Sequence, residues 1–201
     1  MFSEIPYFGR VLILTSLMFV AAVYDYYRNR GGATRWREYG LVLVGGLVGA
    51  VFAAVNDIVT SSISPEYFTL GKGLAGGDGL QTRAALLGMQ AGSSAGLIAA
   101  GILLYVATRK YKGTGLVYKV FLRGVCKVFA GAVLLGVVMP MIFSSFDPAR
   151  FAVELEGLVD ANQIRRFIIV WWIHSGLYVG AFVGLIWAIA GSVGQRSKKG
   201  S

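Results

Sequence analysis

The sequence predicts an all-α integral membrane protein with five transmembrane helices, and three observations carry that prediction. Only 14% of the 201 residues are charged while 56% are hydrophobic, whereas a soluble domain carries about a quarter charged residues. The apolar residues gather into runs over 5–27, 39–60, 84–107, 120–143 and 167–190, each near the ~20 residues needed to cross the hydrocarbon core as a helix. Stretches such as LVLVGGLVGAVFAAV and LIAAGILLYVA do not alternate, which excludes the strands of a membrane barrel.

Span one, within residues 1–30, carries Glu4 and Arg10 in place of a basic start and runs into AAVYDYYRNR. Without a small-residue cleavage pattern it reads as a retained span, not a signal peptide. Spans two and three occupy 39–107 and spans four and five 120–190, followed by a basic tail at 191–201. GGLVGAVFAA (45–54) and GSSAGLIAAG (92–101) place small residues four apart, which lets helix backbones approach closely or leaves a pore or lipid-binding groove between them.

The octet SSISPEYF (61–68) follows span two, and SSFDPARF (144–151) follows span four, 83 residues later. Ser64 and Asp147 are N-cap residues whose side-chain oxygens accept from free first-turn N–H groups. Pro65 and Pro148 follow them at the position where proline is preorganised for a helix. Ile63 with Phe68, and Phe146 with Phe151, fit the hydrophobic staple. Each octet thus predicts a short interfacial helix along the outer surface, the second continuing through FAVELEGLVD. Arg83 with Arg166 and Gly101 with Gly184 share the same offset. The two hairpins, 39–107 and 120–190, are therefore expected to form a parallel internal repeat about an axis along the membrane normal.

Charge sets the topology. The segments after spans one, three and five hold 11 of the 19 basic residues, and the opposite side holds seven of the ten acids. The positive-inside rule places the N-terminus outside and the C-terminus in the cytoplasm. The net charge of +9 is thereby assigned to topology and to contact with membrane lipids, not to nucleic acid. Cys126 is the sole cysteine and lies inside span four, so no intrachain disulfide forms. No zinc spacing, P-loop or GxSxG elbow occurs, and neither metal nor cofactor is expected.

One polar layer interrupts the spans. Asp57, preceded by Asn56, lies near the outer end of span two, where the second half has Pro140. A carboxylate within a span costs ~2.5–3.5 kcal/mol at the bilayer centre and less near the interface. Gln90 and His174, the only histidine, fall at similar depth on spans three and five, and Glu66 lies beside the octet proline. Asp57 pairs with His174, or Arg83 or Arg166 neutralises it. Such a layer either holds the halves together by hydrogen bonds or handles a proton or cation.

The string NDIVTSSISPEYFTLGKG resembles a motif of uncharacterised bacterial multi-pass membrane proteins, in which an acidic residue, usually preceded by His, is followed by a threonine and an SPEYFT-like box. Asp57, Pro65, Glu66, Tyr67 and Phe68 match, while Asn56 takes the usual His place. The resemblance implies a bacterial inner-membrane protein and no known activity.

The leading expectation is a structural or assembly subunit of a membrane complex, without catalysis of its own, that meets a membrane-protein partner or further copies of itself. The alternative is a small transporter or proton- or cation-linked site built from Asp57, Glu66 and His174 at the repeat interface. A lipid-modifying enzyme using the same layer is a third possibility, with no activated Ser or Cys in its favour.

Overall fold

The computed structural model describes residues 7–111, 114–143 and 157–194. These residues form helices α1 (Tyr7–Asn29), α2 (Arg35–Ile63), α3 (Leu80–Lys110), α4 (Thr114–Phe143) and α5 (Ala161–Gly194), with no strand among them. A 3-10 turn, Arg30–Gly32, links α1 to α2, and a π-helical turn, Tyr67–Gly71, follows α2. Four segments, Arg35–Ile63, Leu80–Lys110, Gly115–Phe143 and Gln163–Ser192, are long and apolar enough to cross a membrane. At a rise of 1.5 Å per residue each is roughly 43–47 Å long. That exceeds the ~30 Å hydrocarbon core, so their ends reach the headgroups.

Two tight antiparallel pairs dominate the architecture, α2 with α3 and α4 with α5. Lipid tails are as apolar as leucine, so these pairs are held by backbone-close van der Waals packing. Glycine makes that approach possible. A Cβ on Gly92 would lie 2.2 Å from the Gly49 carbonyl oxygen, and one on Gly180 would lie 2.1 Å from that of Gly131. Gly88 and Gly96 pack in the same way on α2, as do Gly176 and Gly184 on α4. The two glycine triplets, 88-92-96 and 176-180-184, stand 88 residues apart. An offset of 83, which pairs Gly101 with Gly184, does not describe this packing. A Cβ on Gly101 meets nothing within 4 Å, whereas one on Gly184 would lie 2.4 Å from the Lys127 carbonyl oxygen.

The hairpins meet each other at their two ends. At the end bearing the 64–79 connection, Tyr67, Phe68, Ala84 and Val170 are buried together, flanked by Ile63 and Phe167. At the opposite end Ala100, Leu103, Leu104, Phe121 and Ala188 form a second cluster. Between them Phe52 and Phe129 touch edge to face at 5.2 Å, and the remaining space is a cavity of about 380 Å³.

Local chemistry explains the connections. Asp25, on the last turns of α1, accepts from the backbone N–H groups of Thr34 and Arg35, each at 3.0 Å, and from Asn29 Nδ2 at 2.7 Å. It thus caps α2 from a neighbouring helix, satisfying donors that have no partner within α2. The Tyr7 hydroxyl hydrogen-bonds the Ser93 hydroxyl and ties α1 to α3. Past α2, Ser64 Oγ accepts from the Tyr67 N–H at 3.3 Å, the N-cap geometry expected of it, with Pro65 at the next position. The helix that follows is a single turn, and instead of lying along the surface it buries Tyr67 and Phe68 in the bundle end. Gly73, Gly77 and Gly79 then take positive φ, the region glycine enters without steric cost. The second octet, with Asp147, Pro148 and most of FAVELEGLVD, lies outside the described residues.

Candidate functional site

α2 and α5 deliver one buried pair to the seam between the hairpins. Asp57 and His174 expose 7% and 5% of their surfaces, and His174 Nε2 lies 3.0 Å from Asp57 Oδ1. On its other side the ring is fixed by its own helix, with Nδ1 2.9 Å from the Val170 carbonyl oxygen. A carbonyl only accepts, so Nδ1 carries a hydrogen. The Nε2–Oδ1 contact then needs one more. Either Nε2 donates it to a carboxylate, making an imidazolium–carboxylate pair, or a protonated carboxyl donates it to a bare nitrogen. In both placements the two side chains hold a single proton between them and carry no net charge.

The surroundings suit both placements. Asn56 Nδ2 donates to Asp57 Oδ1 at 3.0 Å, a bond the oxygen accepts in either placement, and lies 3.4 Å from His174 Nε2. Gly88 makes room for the carboxyl, because a Cβ there would lie 2.9 Å from Asp57 Cγ. The other carboxyl oxygen, Oδ2, accepts no hydrogen bond from the described residues and is not sealed from the surface. Asp57, Asn56 and His174 all line the cavity between the hairpins.

Tyr67 closes the site from the connection side. Its ring stacks on the imidazole with centroids 4.8 Å apart and planes at 27°, and Phe68 meets the same imidazole edge-on at 5.8 Å. Lys72 Nζ lies 5.5 Å from the Tyr67 ring centroid. Burial, reinforced by Tyr178 and Asp57, pushes the Tyr67 phenol well above its ordinary value, so it stays neutral against the pair. The sequence marks Phe68 as a staple residue, but only the turn geometry shows that the box lays its aromatic rings on His174.

The other expected members go elsewhere. Glu66 accepts from Ser64 Oγ at 2.9 Å and belongs to the helix cap. Gln90 is absent from the cavity lining, and its backbone carbonyl accepts from Ser93 and Ser94. Arg83 spreads its guanidinium over the carbonyls of Ala75, Gly76 and Asp78 at 2.7–3.2 Å. It organises the 72–79 loop and leaves Asp57 to His174. Arg166 is exposed. Among the described residues no group of three or more His, Cys, Asp or Glu is placed to hold a metal ion.

Comparison with protein-family models, with curated proteins and with solved structures returns no match.

Proposed function

We propose that this is a five-span protein of the bacterial cytoplasmic membrane whose working part is a proton-exchanging site, formed by Asp57 and His174 where two like-oriented hairpins meet. The single observation that carries the proposal is the buried 3.0 Å contact between the two side chains, with Nδ1 of the same ring already committed to a carbonyl. An ionisable pair inside a membrane bundle is costly and marks functional positions. A purely structural cross-link would need no open carboxyl oxygen. Asp57 lines the cavity and keeps one carboxyl oxygen without a hydrogen bond among the described residues, so a ligand there exchanges hydrogen bonds, and a proton, with the pair. Supporting the fifth span, α1 is 23 residues long, roughly 35 Å as a helix. The charge asymmetry places its start outside and the chain's end in the cytoplasm. The SPEYFT-like box supports the bacterial assignment.

Infrared difference spectroscopy across a pH step tests the site. The wild type should show a carboxyl stretching band and an imidazole band that change together, the first vanishing in Asp57→Asn and both in His174→Gln. Spectra identical in all three proteins would remove the proposal.

A second reading, an assembly subunit, is favoured by α1, whose Leu17, Phe19, Val20, Tyr24 and Tyr27 are each more than 60% exposed. Extraction in mild detergent should then recover a stoichiometric membrane partner. A stable lone monomer would count against it.

A further inference from the structure

The cavity between the hairpins has walls and one end of different chemistry. Its walls are Gly45, Gly49, Ala95, Gly96, Val128 and Leu177, with other apolar residues, and its polar groups are Asn56, Asp57, His174 and Tyr178. The volume of about 380 Å³ falls within the roughly 300–1,000 Å³ typical of small-molecule sites. Ile98 and Phe182, both on the lining, are 63% and 64% exposed, so the space reaches the lipid-facing surface. An apolar cavity does not hold water stably, and beside a bilayer an acyl or prenyl chain can enter it.

The polar end restricts the occupant further. No Lys or Arg lines the cavity, and the Asp57–His174 pair carries no net charge, so a phosphate or carboxylate headgroup would lose its hydration there without meeting a balancing cation. The lining's side-chain oxygens without a hydrogen-bond partner among the described residues are Asp57 Oδ2 and Asn56 Oδ1, which accept, and the Tyr178 hydroxyl, which accepts or donates. They match a head that donates one hydrogen bond and accepts another without bearing charge. We infer that the cavity binds a long-chain membrane lipid whose polar end is an uncharged hydroxyl, its chain between α3 and α5 and its hydroxyl on Asp57. This deepens the proton-exchange proposal, resting on it for the role of Asp57 as the polar end.

The test uses the full chain in nanodiscs with three diazirine-bearing probes, hexadecanol, palmitic acid and a phosphatidic acid. Hexadecanol should label α3 around Ala95–Ala99 and α5 around Leu177–Ala181. The two anionic probes should label at least about tenfold less, the cost of burying a charged head where no Lys or Arg balances it. Ala95→Phe, which fills the cavity from α3, should abolish the hexadecanol label while the denaturation midpoint holds. Ala181→Leu makes the same test from α5 should the first variant fail to fold. Equal labelling by the anionic probes, or labelling that survives cavity filling, overturns the inference. Proton exchange in the infrared without a hexadecanol label fails this inference alone. The label with silent infrared bands fails only the proton proposal.

Discussion

Replacing Gly92 with alanine adds one methyl group at the point where α2 and α3 lie closest. That methyl carbon would stand 2.2 Å from the Gly49 carbonyl oxygen and 2.5 Å from Ala53 Cβ, where ordinary contact begins at 3.4 Å. The obstructing atoms are backbone and a Cβ, which cannot rotate away, so the helices must part by roughly 1 Å. Overpacking of this kind costs ~1–3 kcal/mol, and the better helix propensity of alanine offsets part of it. Gly101→Ala provides the contrast, because its methyl meets nothing within 4 Å. It should stabilise by roughly 0.5–1 kcal/mol, the usual gain of alanine over glycine inside a helix. Gly180→Ala in the second hairpin should behave like Gly92→Ala, its methyl lying 2.1 Å from the Gly131 oxygen. Denaturation in mixed micelles, followed by tryptophan fluorescence, reads all three. Midpoints for Gly92→Ala and Gly101→Ala that move together would refute the glycine-on-backbone packing.

Three further outcomes follow from single contacts. Asp57→Ala and His174→Phe should each destabilise by ~3–5 kcal/mol, as removal of one member of a buried pair does, while the double variant should cost far less than their sum in the same denaturation assay. Ser64→Ala removes the acceptor of the Tyr67 N–H and should cost ~1 kcal/mol, with faster amide exchange at Tyr67 and Phe68. Asp25→Ala should speed amide exchange at Thr34 and Arg35, whose N–H groups it accepts, and leave exchange in α5 unchanged.

Much of this arrangement is legible in the sequence because bilayer thickness and helix capping act locally. The apolar runs at 39–60, 84–107, 120–143 and 167–190 all fall within long helices of the structure. Ser64 and Pro65 start a helical turn for the reason their chemistry gives. Depth along each span brings Asp57 and His174 to one level, because a helix rises by a fixed amount per residue. Rotation about the helix axis is another matter. Spans that are apolar all round carry little signal of which face packs, so Gln90 shares the depth of Asp57 but not its cavity. The same gap hides the packing register: identical residues 83 apart suggest one alignment, while backbone contact at Gly88, Gly92 and Gly96 and at Gly176, Gly180 and Gly184 sets another. The placement of Tyr67 over the imidazole depends on the π-helical turn, which no single residue of the octet encodes.

His174 is the chain's only histidine, so one measurement reaches the central contact without assignment. Nitrogen-15 NMR of protein labelled at the imidazole should show a hydrogen on Nδ1 in the folded protein, the one it donates to the Val170 carbonyl. Nε2 should resonate as a hydrogen-bonded nitrogen whose shift moves in Asp57→Asn. An Nδ1 that loses its hydrogen, or an Nε2 signal indifferent to residue 57, would contradict the shared proton on which the proposed site depends.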